Sequence, residues 1–80
     1  MVQMGGGRGD VRRLVGDGIR SLRLSRGWTQ ERLAEASGLH RTYVTSLERG
    51  QRNASLHALC AVAEALEVPP STLLRPLDPS

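Results

Sequence analysis

The 80-residue sequence has no phenylalanine, no lysine, one tryptophan, one tyrosine and one cysteine. Without phenylalanine, the core of so small a domain must be aliphatic, built from Leu, Val and Ala. A lone cysteine, Cys60, excludes an internal disulfide, and no Cys/His cluster has the spacing of a zinc site. No apolar run approaches the ~20 residues of a membrane span, and no signal peptide is visible. The chain is therefore expected to be cytoplasmic, with no membrane partner. There is no Ser/His/acid or Cys/His set, and the GGGRG run follows no strand and opens no nucleotide-binding unit. The expectation is a protein that is not an enzyme, with no metal and no cofactor.

What is present is positive charge carried entirely by arginine. Eleven arginines face eight acidic residues, for a formal charge of +3 and a sequence pI of about 10.4. That balance favours a polyanionic partner. A guanidinium can pair bidentately with a phosphate or with the O6/N7 edge of guanine. The missing lysine also fits a GC-rich coding bias.

Residues 29–50, TQERLAEASGLHRTYVTSLERG, read as two short helices and a tight turn. Thr29 suits an N-cap, since its hydroxyl can accept from a first-turn amide. Leu33 and Ala34 give one apolar stripe, and Ser37-Gly38 stops the helix. A second helix runs from about Arg41, turns Val44 and Leu47 inward, and ends at Gly50. Such a helix-turn-helix offers the polar face of its second helix to a DNA major groove.

The rest of the chain builds around this pair. Residues 1–9 read as a flexible arm, whose Arg8, with Arg12 and Arg13 behind it, either touches phosphates or is solvated. Asp10 is a candidate N-cap for a helix carrying Val11, Leu14, Val15, Ile19 and Leu22 on one face. Gly16 and Gly18 weaken it by ~1 kcal/mol each relative to Ala, which predicts fraying before residue 17. Trp28 is expected to pack between the first two helices. Ser55 caps a helix lined by Leu56, Leu59, Ala63 and Leu66, with Val62 nearby and Cys60 half-buried beside them. Pro70 suits the first position of a last short helix, and Pro76 and Pro79 keep the tail from being helical. The expected fold is all-α, with five helices in one domain over 10–75, between the arm 1–9 and a tail 76–80.

The segments IRSLRLSRGWTQERLAEASGL, YVTSLERG, RNASLHALCAVAEAL and VPPSTLL, in that order, resemble the Cro/repressor-type (XRE-family) helix-turn-helix domain. HRTYVTSLERGQRNASL is similar to the controller proteins of restriction-modification systems. The resemblance implies a compact, lambda-repressor-like five-helix bundle. It also implies a sequence-specific transcriptional regulator that binds double-stranded DNA as a homodimer, on a palindromic operator with half-sites roughly 34 Å apart. Two other readings stay open: an antitoxin or autorepressor of a toxin–antitoxin pair, and a protein-interaction module that uses the fold without DNA.

With Val44 and Leu47 inward, Arg41, Thr42, Thr45 and Ser46 face outward. Arg41 is the foremost base reader, and a bidentate pair with guanine is worth about 1–3 kcal/mol of discrimination. Tyr43 either packs at the domain edge with its hydroxyl on a phosphate or belongs to the core. His40 suits an N-cap. Arg52 and Asn53 are expected backbone contacts, which set register without reading sequence. The resemblance implies that Gln30 holds a phosphate and steadies the recognition helix, and that Arg23 and Glu48 form a partly buried internal ion pair. It also implies that acids such as Glu31 and Glu35 touch RNA polymerase in members that activate transcription. By residue chemistry alone, Glu31 complements the helix dipole and Glu35 is solvated. Val68, Pro69, Leu73, Leu74 and Leu77 are the expected dimer surface, or else a turn that only closes the monomer.

Overall fold

The structure is a computed structural model that describes residues 7–77, with side chains from residue 11 onward. Among these residues there are five α-helices and no strand: α1 Gly7–Ser25, α2 Gln30–Ser37, α3 Arg41–Glu48, α4 Leu56–Leu66 and α5 Pro70–Leu74. A single 3-10 turn, Arg75–Leu77, closes the described chain.

Each short helix is fixed at its ends by residues the sequence supplies. The Arg32 amide donates to the Thr29 hydroxyl at 3.0 Å, the Thr42 amide to His40 Nδ1 at 3.2 Å, and the Ala58 amide to the Ser55 hydroxyl at 3.0 Å. Each cap satisfies a donor that the first turn leaves unpaired. Gly38 ends α2 in the left-handed region at φ 75°. Glu67 does the same for α4 at φ 59°, a conformation that costs a non-glycine residue about 1–2 kcal/mol. The Arg26 guanidinium donates to the Leu66 carbonyl near that end of α4.

The core is aliphatic, as the composition requires. Ile19, Leu33, Val44, Val62, Leu66 and Leu73 are fully buried, one or two from each helix. Burying each such side chain is worth about 1.5–3 kcal/mol. Trp28, Tyr43, Leu59, Val68 and Leu77 pack against this centre from its margin.

Several expectations need correction. Helix α1 begins at Gly7, three residues before Asp10, and runs unbroken through residue 17. The reason lies in its glycines, which sit where other elements come closest. A Cβ on Gly16 would overlap the Leu47 carbonyl oxygen and lie 2.9 Å from that of Glu48, and Gly18 faces the Pro76 ring. The propensity lost to glycine is offset by close packing of α1 on the end of α3. Of the arm 1–9, residues 7–9 are thus helical, and the first six residues and the Arg8 side chain lie outside the described residues. The 3-10 turn includes Pro76 and brings Leu77 onto the core, so the folded unit extends past residue 75. Leu14 is 42% exposed at the flank of α1, and Leu56 is 81% exposed in the first turn of α4. Cys60 is exposed, because it lies about 200° around the helix from the buried Val62.

Candidate nucleic-acid interface

Helix α3 is held by apolar and ionic contacts on one side and is open on the other. Val44, at 0% exposure, and Leu47, at 3%, enter the core. Arg41 and Thr42 are exposed, and Tyr43, Thr45 and Ser46 are half-buried. The outward face therefore carries the hydroxyls of Thr42, Thr45 and Ser46, with the Arg41 guanidinium at its N-terminal end.

The far end of α3 is anchored by an ion pair. Arg23 Nε donates to Glu48 Oε2 at 2.7 Å and Nη2 to Oε1 at 3.0 Å. The third guanidinium nitrogen, Nη1, donates to the Trp28 carbonyl at 2.7 Å. The two side chains are 8% and 2% exposed, so the pair is buried rather than partly buried. Its fork geometry satisfies the guanidinium in the way a desolvated charge requires.

Gln30 extends this pair to the open face. Its Nε2 donates to Glu48 Oε1 at 3.0 Å, and its Oε1 accepts from the Thr45 hydroxyl at 2.8 Å. The chain of contacts Arg23–Glu48–Gln30–Thr45 ties α1, α2 and α3 together and emerges at the outward face of α3. The resemblance implies both a phosphate contact and a steadying role for Gln30, and its bonds to two residues of α3 are of the steadying kind. The structure shows its amide engaged inward at both ends, with one N–H still available.

Tyr43 packs at the domain edge. Its ring contacts the core, the Arg52 guanidinium lies 5.3 Å above it, and its hydroxyl accepts from the Ser55 amide at 3.5 Å. The loop that carries Arg52 and Asn53 is thereby laid beside α3, with both residues exposed. Arg41 Nη1 stands 3.8 Å from Glu31 Oε2, both side chains being well exposed. Glu35 stands 3.8 Å from Arg32 one turn along α2. Such exposed pairs contribute little to stability. Among the described residues no group of three or more His, Cys, Asp or Glu could hold a metal. No described helix is long and apolar enough to cross a membrane.

The expected dimer surface is only partly available. Leu73 is 1% exposed and belongs to the core, because it is the α5 residue that points at the bundle. Val68 and Leu77 are half-buried against it. Leu74, at 40% exposure, and Pro69 remain outside. Leu74 and Leu77 border an open apolar groove of about 150 Å3, shared with Val11, Val15, Leu47, Ala54 and Leu59.

A sequence profile of the helix-turn-helix family matches residues 19–73. The chain is 43% identical over 65 residues to the control protein C.SmaI of Serratia marcescens, covering 81% of this chain and 77% of that one. The crystal structure of the restriction-modification controller protein C.AhdI from Aeromonas hydrophila superposes with a TM-score of 0.76 at 45% identity, covering 78% of this chain and 94% of that one. One chain of the controller protein C.Esp1396I, from the crystal structure of its tetramer in complex with its natural 35 base-pair operator, superposes with a TM-score of 0.74 at 35% identity. That match covers 81% of this chain and 86% of the other.

Proposed function

Because this chain belongs to the Cro/repressor-type (XRE) helix-turn-helix family, we propose that it is a dimeric, sequence-specific DNA-binding transcriptional regulator of the restriction-modification controller type. One observation carries this reading: the hydroxyl- and guanidinium-bearing face of α3 is open, while its opposite face is locked by Val44, Leu47 and the buried Arg23–Glu48 pair. A rigidly mounted polar helix suits groove reading, because base contacts require fixed donor and acceptor positions.

In this reading Arg41 reads guanine from the N-terminal end of α3, and Thr42, Thr45 and Ser46 meet neighbouring base edges. Tyr43, Arg52 and Asn53 hold the sugar-phosphate backbone. The Tyr43 hydroxyl accepts from Ser55, so its own hydrogen is free to donate to a phosphate. The remaining Gln30 N–H and the first amides of α2 reach a second phosphate. The exposed Leu74 and Pro69 contribute to a two-fold contact with a second copy. Glu31 and Glu35, both exposed and each 3.8 Å from an arginine, are the acids that this reading offers to RNA polymerase. Charge reversal of both should abolish activation at a dependent promoter while operator binding persists.

Selection of bound sites from a random duplex library tests the proposal. The expected product is a two-fold palindrome whose affinity falls steeply with salt. Absent or salt-insensitive binding would favour a protein-interaction module instead.

A further inference from the structure

The buried ion pair dictates more than the position of α3; it dictates which way a proton points on its DNA-facing side. Glu48 is a carboxylate paired with Arg23, and a carboxylate only accepts. The Gln30 group facing it at 3.0 Å must therefore be the amide nitrogen. The amide oxygen is then the atom facing Thr45, and an amide oxygen also only accepts. The hydroxyl hydrogen of Thr45 is consequently committed to Gln30, at 2.8 Å. What Thr45 has left for a partner outside the protein is lone pairs and a methyl group.

On this basis we infer that Thr45 is a specificity residue of fixed hydrogen-bond polarity, selecting a base that presents an exocyclic amino group in the major groove. The inference rests on the DNA-binding reading above and deepens it. In the major groove adenine N6 and cytosine N4 donate, whereas guanine O6 and thymine O4 accept. A threonine free to rotate its hydroxyl serves either class, because it both donates and accepts. Thr45, with its hydrogen held internally, opposes a keto oxygen with its own lone pairs and welcomes an amino group. It is likewise unsuited to donating to a phosphate oxygen. Thr42 and Ser46, on the same face, form no such side-chain hydrogen bond among the described residues and keep rotatable hydroxyls. The polarity thus assigns one position of each half-site to the amino class of base rather than to a purine or a pyrimidine.

The test is functional-group deletion on the operator obtained by selection. At each adenine or cytosine of a half-site, an analogue lacking the exocyclic amino group is introduced and binding is measured. With the wild-type protein, one such deletion near the Arg41 contact should weaken binding about two- to twelve-fold, the equivalent of about 0.5–1.5 kcal/mol for one net hydrogen bond. Thr45→Val should bind as if that amino group were already missing, and Thr45→Ser should keep the penalty. Gln30→Ala releases the hydroxyl hydrogen and should bring tolerance of guanine or thymine at the same position. Circular dichroism of each variant establishes that it is folded. If every amino deletion acts equally on wild type and Thr45→Val, or if Gln30→Ala leaves the amino preference unchanged, the polarity argument is overturned while DNA binding stands. If no duplex is selected at all, both readings fall.

Discussion

Replacement of Glu48 by alanine should remove a large share of the stability of this domain. Three N–H groups converge on the Glu48 carboxylate, two from Arg23 and one from Gln30. Without it, the Arg23 guanidinium keeps a single partner, the Trp28 carbonyl, in a site that leaves the side chain 8% exposed. Breaking a buried pair in this way typically costs about 3–5 kcal/mol, because one charge stays desolvated and unpaired. A domain of 80 residues has a total stability of about 4–12 kcal/mol. Urea unfolding followed by far-UV circular dichroism should therefore show a strongly lowered midpoint with little change in slope. The double replacement Arg23→Met, Glu48→Leu removes both charges and keeps apolar volume, so it should return to within about 2 kcal/mol of wild type. It should nonetheless leave Gln30 without its anchor, so that stability recovers and sequence discrimination does not. A loss below ~1 kcal/mol for Glu48→Ala, the range of exposed pairs, would refute the reasoning.

Three further outcomes follow from particular positions. Gly16→Ala should destabilise by about 1–3 kcal/mol through overpacking, despite the better helix propensity of alanine, because its Cβ meets the carbonyls that end α3; a more stable protein in thermal unfolding would contradict this. Glu67→Gly should stabilise by about 0.5–1 kcal/mol, since Glu67 sits at φ 59° and the relief of about 1–2 kcal/mol exceeds the entropic cost of glycine; a lower urea midpoint would count against it. Leu74→Glu should weaken self-association without unfolding the protein, and a wild-type chain that sediments as a monomer at micromolar concentration would remove the dimer from the account.

Local signals carried most of the fold. Thr29, His40 and Ser55 act as caps, Gly38 stops α2, Pro70 opens α5, and Val44 and Leu47 face inward, each by short-range chemistry that a sequence displays. The buried Arg23–Glu48 pair spans 25 positions, a separation at which no local signal links the two residues, so only the family resemblance implies it. What stayed hidden depends on packing between distant segments. Gly16 looks like a weak point when α1 is considered alone, and becomes a close-approach residue only when α3 lies against it. Leu73 and Leu74 are chemically alike, and only the placement of α5 on the bundle sends one to the core and leaves the other outside. Gln30 bears one amide, and nothing in its spacing says that both ends bond internally to Glu48 and Thr45. Cys60, beside an apolar stripe in the sequence, falls on the solvent side because α4 buries Ala58, Val62 and Ala63 instead.

The division of labour on the open face can be read in one comparison. Affinity is measured for the selected operator and for a random-sequence duplex, at matched salt, with wild type, Arg41→Ala and Arg52→Ala. Arg41→Ala should lose about 1–3 kcal/mol on the operator and much less on random duplex, so its specificity ratio collapses at one position per half-site. Arg52→Ala should weaken both duplexes about equally and reduce the salt dependence by about one phosphate contact. A uniform loss for Arg41→Ala on both duplexes would place its guanidinium on the backbone and contradict the assignment of base reading to the start of α3.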